Sequence, residues 1–213
     1  MRRNLSLLTK AALVACTAIG VSMTLFAGEG VNWRNLLYFT TQSNIWIMIV
    51  AAVGFYDLLI GKEPDRLWSV IKLIFTVSIT LTGVVYCFIL APTFENPFHL
   101  SSVLVHVLSP ILAIVDFFLC CNCFKLKGRD SFWGIVPPIY YLVFASIGYV
   151  CNWPFSDNTN YPYFFLNWGS PVGAWGFSSE FPFMGVMWYV FALLISLIIV
   201  TRCYIWLSGS REK

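Results

Sequence analysis

The chain has 213 residues, 59% of them hydrophobic and 11% charged, with a mean hydropathy of +0.77 and a formal net charge of +3. That balance excludes an ordinary soluble domain. The basic residues are spread over short connectors and do not gather into a patch, so nucleic acid is excluded as a partner too.

Six apolar runs of membrane-spanning length predict a single all-α integral membrane domain over 1–213. It is a bundle of six transmembrane helices at about 10–26, 35–60, 67–90, 100–122, 132–151 and 183–207. The first run follows Arg2 and Arg3 and ends in "LFAG", which is also the makeup of a cleavable signal peptide; reading it as a span keeps six in the set. Of the 13 basic residues, all but Arg34 and Lys72 fall at the termini or in the second and fourth connectors. The positive-inside rule therefore places both termini in the cytoplasm, with the cell membrane as the expected location.

The second run opens with five consecutive polar residues, Thr40, Thr41, Gln42, Ser43 and Asn44. Helical spacing puts Thr40, Ser43 and Asn44 on one stripe and turns Gln42 away. Asp57 lies near the inner end of the same run. In the third run Lys72, Thr76, Thr80, Gly83 and Cys87 recur at steps of four and three. In the fourth, His99, Ser102, His106, Ser109, Ala113 and Asp116 do the same. Lipid cannot satisfy such groups, so the three stripes are expected to face one another or to line a wet cavity.

At roughly 1.5 Å of rise per residue, Thr40 and His106 fall at one depth, about 8–9 Å below the outer boundary. Asp57, Lys72 and Asp116 form a second level near the inner boundary. An unpaired charge there costs about 2.5–3.5 kcal/mol on insertion scales, so Lys72 is expected to pair with one or both aspartates as a structural ion cluster.

Cys120, Cys121 and Cys123 cluster after the fourth run but lack a second Cys/His pair at zinc spacing, which favours packing over a metal site. His99 and His106 share a helix face and cannot sandwich a haem iron. No metal or other cofactor is expected. The long connector 152–182 carries ten aromatic residues, four prolines and no lysine or arginine, a composition suited to the membrane interface and to a lid over the outer level.

"LLYFTTQSNIW", "VLVHVLSPILAIVDFF", "PPIYYLVF" and "NYPYFFLN" occur in that order. Together they resemble the androgen-induced-gene (FAR-17a-like) family of six-span membrane proteins, closest to its bacterial Pr-six-Pr branch. The resemblance covers most of the chain. It implies an intramembrane hydrolase of fatty-acid esters with Thr40 as nucleophile and His106 as its partner. This chain has one residue fewer between that histidine and the following proline than the animal members have. On such a reading His106 would take the Thr40 proton during attack on an acyl carbonyl, and Asn44 or Ser43 would support the oxyanion. The substrate partner would be a membrane lipid ester.

Two function classes follow from the residues: a threonine-dependent lipid-ester hydrolase, and a non-enzymatic membrane protein, a small transporter or scaffold, in which the inner charged level is the working part. The sequence shows no pair of corresponding halves of the kind found in many transporters.

Overall fold

A computed structural model describes residues 2–27, 30–120 and 126–209. Its described residues form six helices long and apolar enough to cross a membrane: α1 (Arg2–Leu25), α2 (Phe39–Leu59), α3 (Arg66–Thr93), α4 (Leu100–Leu119), α5 (Gly128–Val150) and α6 (Val186–Gly209). Apart from a single bridge between Phe177 and Met184, no β-pairing occurs among the described residues. This is the all-α architecture of a multi-pass membrane protein. Cys121 and Cys123 lie outside the described residues, as does the side chain of Cys120.

The main departure in helix limits is at the start. The helix begins at Arg2, about two turns before the apolar run, so Lys10 is an interior residue of α1 and only 4% exposed. Polar Ser6, Thr9 and Lys10 are tolerated because they face α2 and α4 and turn away from the surroundings. At the start of α3 the Asp65 carboxylate caps the helix by accepting from the Trp68 N–H at 2.7 Å.

α3 is the central helix and packs against α2, α4, α5 and α6, while α1 lies against α2 and α4. Leu13, Ile47, Ile79 and Ala113 join α1 to α4. Leu73, Val77, Phe117 and Leu197 join α3, α4 and α6. At the other end, Phe39, Val85, Tyr141 and Val190 form a third cluster with Phe165 and Leu166 of the long connector. That connector therefore does more than lie at the interface. Its short helical turn Phe164–Leu166 drops into the bundle, and an Arg34–Asp157 ion pair ties its start to the α1–α2 connector.

Two helices change pitch near this end. Residues Tyr86–Leu90 of α3 and Leu104–Leu108 of α4 each form a π-turn. Each has a proline just beyond it. Pro92 and Pro110 supply no N–H for the carbonyl one turn earlier and crowd it, so the preceding turn widens. In α4 the Leu104 carbonyl then accepts from the Ser109 N–H and from the Ser109 hydroxyl at 2.8 Å.

Glycines let both neighbours close on this widened turn. A Cβ at Gly20 of α1 would come within 2.7 Å of Val105 Cγ1, and one at Gly83 of α3 within 2.9 Å of the His106 carbonyl oxygen. Each would force the helices apart.

Candidate functional site

The polar residues of the spans separate into two sites at opposite ends of the bundle. The first lies under the long connector. A chamber of about 620 Å³ is bordered by α1, α2, α3, α4 and the connector, and both Thr40 and His106 line it. Beside it runs a narrow apolar slot of about 80 Å³ between α2, α3, α5 and α6, walled by Leu81, Val85, Leu142, Val190, Leu193 and Leu194. Only Thr40, Leu90 and Tyr163 border both spaces among the described residues. Thr40 therefore stands where a chamber that also bears Thr41, Ser102 and His106 meets an apolar slot.

His106 lies in the π-turn of α4. Its Nδ1 donates to the Ser102 carbonyl at 3.0 Å, which fixes the proton on Nδ1 and leaves Nε2 as the basic nitrogen. The Tyr86 ring, from the π-turn of α3, stacks on the imidazole with centroids 3.5 Å apart and planes inclined by 13°. The Tyr86 hydroxyl in turn donates to the Pro97 carbonyl. His99 caps the start of α4 at the chamber rim: its ring accepts from the Ser102 N–H and bonds the Ser101 and Ser102 hydroxyls.

Ser43 and Asn44 are fully buried and do not border the chamber. Asn44 Nδ2 donates to the Thr40 carbonyl at 2.9 Å and to the Val105 carbonyl at 3.0 Å. Ser43 Oγ donates to the Thr40 carbonyl at 3.0 Å and shares a 2.7 Å bond with the Thr82 hydroxyl. With their donors committed to the backbone, these side chains are not placed to meet an oxyanion. They are polar supports instead. Asn44 joins the turn that carries Thr40 to the turn that carries His106.

The donor that sequence reasoning missed is Tyr163. It lines both spaces together with Thr40, and burial pushes its hydroxyl pKa up to about 12. It keeps its proton at neutral pH. "NYPYFFLN" contains this residue, but nothing in a connector's composition says which of its aromatics turns inward.

The second site lies at the end that carries the chain termini. Asp116 of α4 is 3% exposed and sits between two lysines. Lys10 Nζ is 2.5 Å from Oδ1, and Lys72 Nζ is 2.8 Å from Oδ2 and donates to the Asp116 carbonyl at 3.0 Å. Lys72 and Asp116 are thus together, and Lys10 is a third member. Asp57 pairs instead with Lys62, at 3.4 Å near the surface. A signal for Lys10 was present, because Ser6, Lys10, Leu13, Thr17 and Gly20 follow the same steps of four and three as the other polar stripes. Read as a topology charge, Lys10 falls at the end of a span. Among the described residues, no group of three His, Cys, Asp or Glu side chains gathers as metal ligands.

Compared with known proteins, the chain matches no family model, no curated protein and no solved structure.

Proposed function

We propose that the protein hydrolyses lipid esters, with Thr40 as nucleophile and His106 as general base. The observation that carries this reading is the position of Thr40, shared between a chamber that also holds His106 and an adjoining apolar slot. An ester whose acyl chain enters the slot presents its carbonyl at Thr40 and its alcohol portion to the chamber. The likeness of "LLYFTTQSNIW" to the androgen-induced-gene family supports the same roles.

In the reaction, Thr40 Oγ1 attacks the acyl carbonyl while His106 Nε2 takes the hydroxyl proton. The Tyr163 hydroxyl, next to Thr40 and protonated, donates to the oxyanion. Collapse breaks the bond to the alcohol, which leaves with the proton from His106. Water from the chamber then attacks the acyl-threonine with His106 again as base, releasing the fatty acid and restoring Thr40. The orientation rule for the flanking charges puts the chamber toward the outer leaflet, so substrate enters from there.

The test is covalent capture. Purified protein in detergent should be labelled by a lipid-like acyl-phosphonate probe at Thr40, and Thr40→Ala should abolish both labelling and release of fatty acid from a long-chain ester. Equal labelling of Thr40→Ala would overturn the assignment.

A further inference from the structure

Among the described residues, the buried ammonium groups of Lys10 and Lys72 both pair with the Asp116 carboxylate. Beside it a cavity of about 270 Å³ opens at the termini end of the bundle. Lys10 and Lys72 form its floor, and Arg2, Arg3 and Lys62 line its mouth. Asp57 is the one carboxylate among the described lining residues. Among the described residues, five cations and Asp57 line this space. Clustered positive charge around a cavity with low-dielectric walls attracts an anion.

The walls say more about the anion. Ser6 and Ser69 add hydroxyls at the level of the lysines, while Leu58, Trp68 and Leu119 make an apolar side. Gly54 opposes the Lys10 stem, where an added Cβ would lie 3.2 Å from Cε, so the lysine reaches the cavity floor because no side chain is there. Arg3 is pre-positioned by donating to the Leu58 and Leu59 carbonyls at 3.1 and 3.4 Å, at the negative end of the α2 dipole. Guanidinium forks above buried ammonium groups suit a phosphate, and basic pockets between spans on the cytoplasmic side are where anionic headgroups are held.

We propose that this cavity binds a phosphate group, supplied either by an anionic lipid of the facing leaflet or by free phosphate. The phosphate meets Lys72 at the floor and Arg2, Arg3 and Lys62 at the rim. In a lipid, the glycerol and first methylenes lie on Leu58, Trp68 and Leu119. The site is separate from the Thr40 chamber and does not depend on any hydrolytic activity.

The experiment is thermal unfolding of the full chain in neutral detergent with three additions at matched ionic strength: phosphatidic acid, phosphatidylcholine and inorganic phosphate. Phosphatidic acid should raise the apparent Tm by roughly 5 °C at saturation while phosphatidylcholine does not. A rise with phosphatidic acid alone identifies a lipid site, and a rise with inorganic phosphate as well identifies a site for the phosphate itself. Arg2→Ala with Lys62→Ala, which alters only exposed rim charges, should remove most of the rise, measured against that variant's own Tm with no addition. Lys62→Ala alone serves if the pair misfolds. No rise with either phosphate source, an equal rise with phosphatidylcholine, or a full rise in the rim variant would overturn the proposal.

Discussion

Tyr86 and His106 lie ring against ring, 3.5 Å between centroids, and each comes from a π-turn of its own helix. The stack and the Ser102 carbonyl together fix the imidazole, one by its face and the other by its Nδ1 proton. Tyr86→Phe keeps the ring and should keep most of the hydrolytic rate. Tyr86→Ala should lower it by about tenfold, the scale of an aromatic pair worth about 0.5–1.5 kcal/mol, with the fold intact by circular dichroism. Equal rates in the two variants would show that the stack does not position the base.

Under the proposed roles of Thr40 and His106, Thr40→Ala and His106→Ala should each abolish ester hydrolysis, and the double variant should lose little more than either, because a nucleophile and its base act as a unit. Thr40→Ser keeps the hydroxyl and should retain part of the activity. Thr41→Ala should retain most of it, although Thr41 also borders the chamber. Asn44→Ala should act differently, reducing stability by about 1–3 kcal/mol because two buried carbonyls lose a donor.

The triad predicts an order of damage. Asp116→Asn leaves two buried ammonium groups facing each other and should be the worst change, about 3–5 kcal/mol. Lys72→Met leaves a balanced Lys10–Asp116 pair and should cost less. Asp57→Asn removes only a 3.4 Å pair whose lysine is 64% exposed and should cost under about 1 kcal/mol. Denaturation midpoints of the three variants decide this, and a milder Asp116→Asn would refute the buried-charge account.

The Tyr163 hydroxyl has its pKa raised from 10.0 to about 12. A raised pKa favours the protonated folded state, so this contribution is complete below pH 10 and is lost as pH climbs from 10 toward 12. The unmodified chain should therefore lose more stability over that interval than Tyr163→Phe does, as read by unfolding midpoints at pH 9 and 11. At neutral pH the same substitution should lower turnover by roughly 10²–10³, the effect of removing an oxyanion donor.

How much of this was legible beforehand follows from what periodicity encodes. Six spans and the polar stripes could be read because a helix repeats every 3.6 residues and lipid penalises polar groups, so Thr40, His106, Lys72 and Asp116 stood out. Pairing could not be read. Periodicity assigns faces to a helix but not the neighbour each face meets, and so Lys72 was joined to Asp57 as readily as to Asp116, while Lys10 was counted with the end charges. Tyr163 was hidden for another reason, since an irregular connector has no repeat from which an inward residue can be inferred. Pro92 and Pro110 were visible, yet the response of a helix to proline depends on whether its neighbours leave room, and Gly20 and Gly83 supply that room from other segments.

A π-turn contains one residue more than the turn it replaces, so the helix on its far side is rotated by about 100° relative to an unbroken one. In α4 the extra residue falls between His99 and Asp116, and in α3 it lies beyond Lys72 toward the chamber. The two ends of the bundle are therefore indexed separately, like two halves of a ruler joined with an offset. Winding the same sequence at unbroken α-pitch, with no residue removed, would swing the His99 half out of alignment with Thr40 and Tyr163 while the Lys10–Asp116–Lys72 lock kept its register. Changes in the shape of the outer chamber can accumulate without disturbing the charges that tie the helices together at the opposite end.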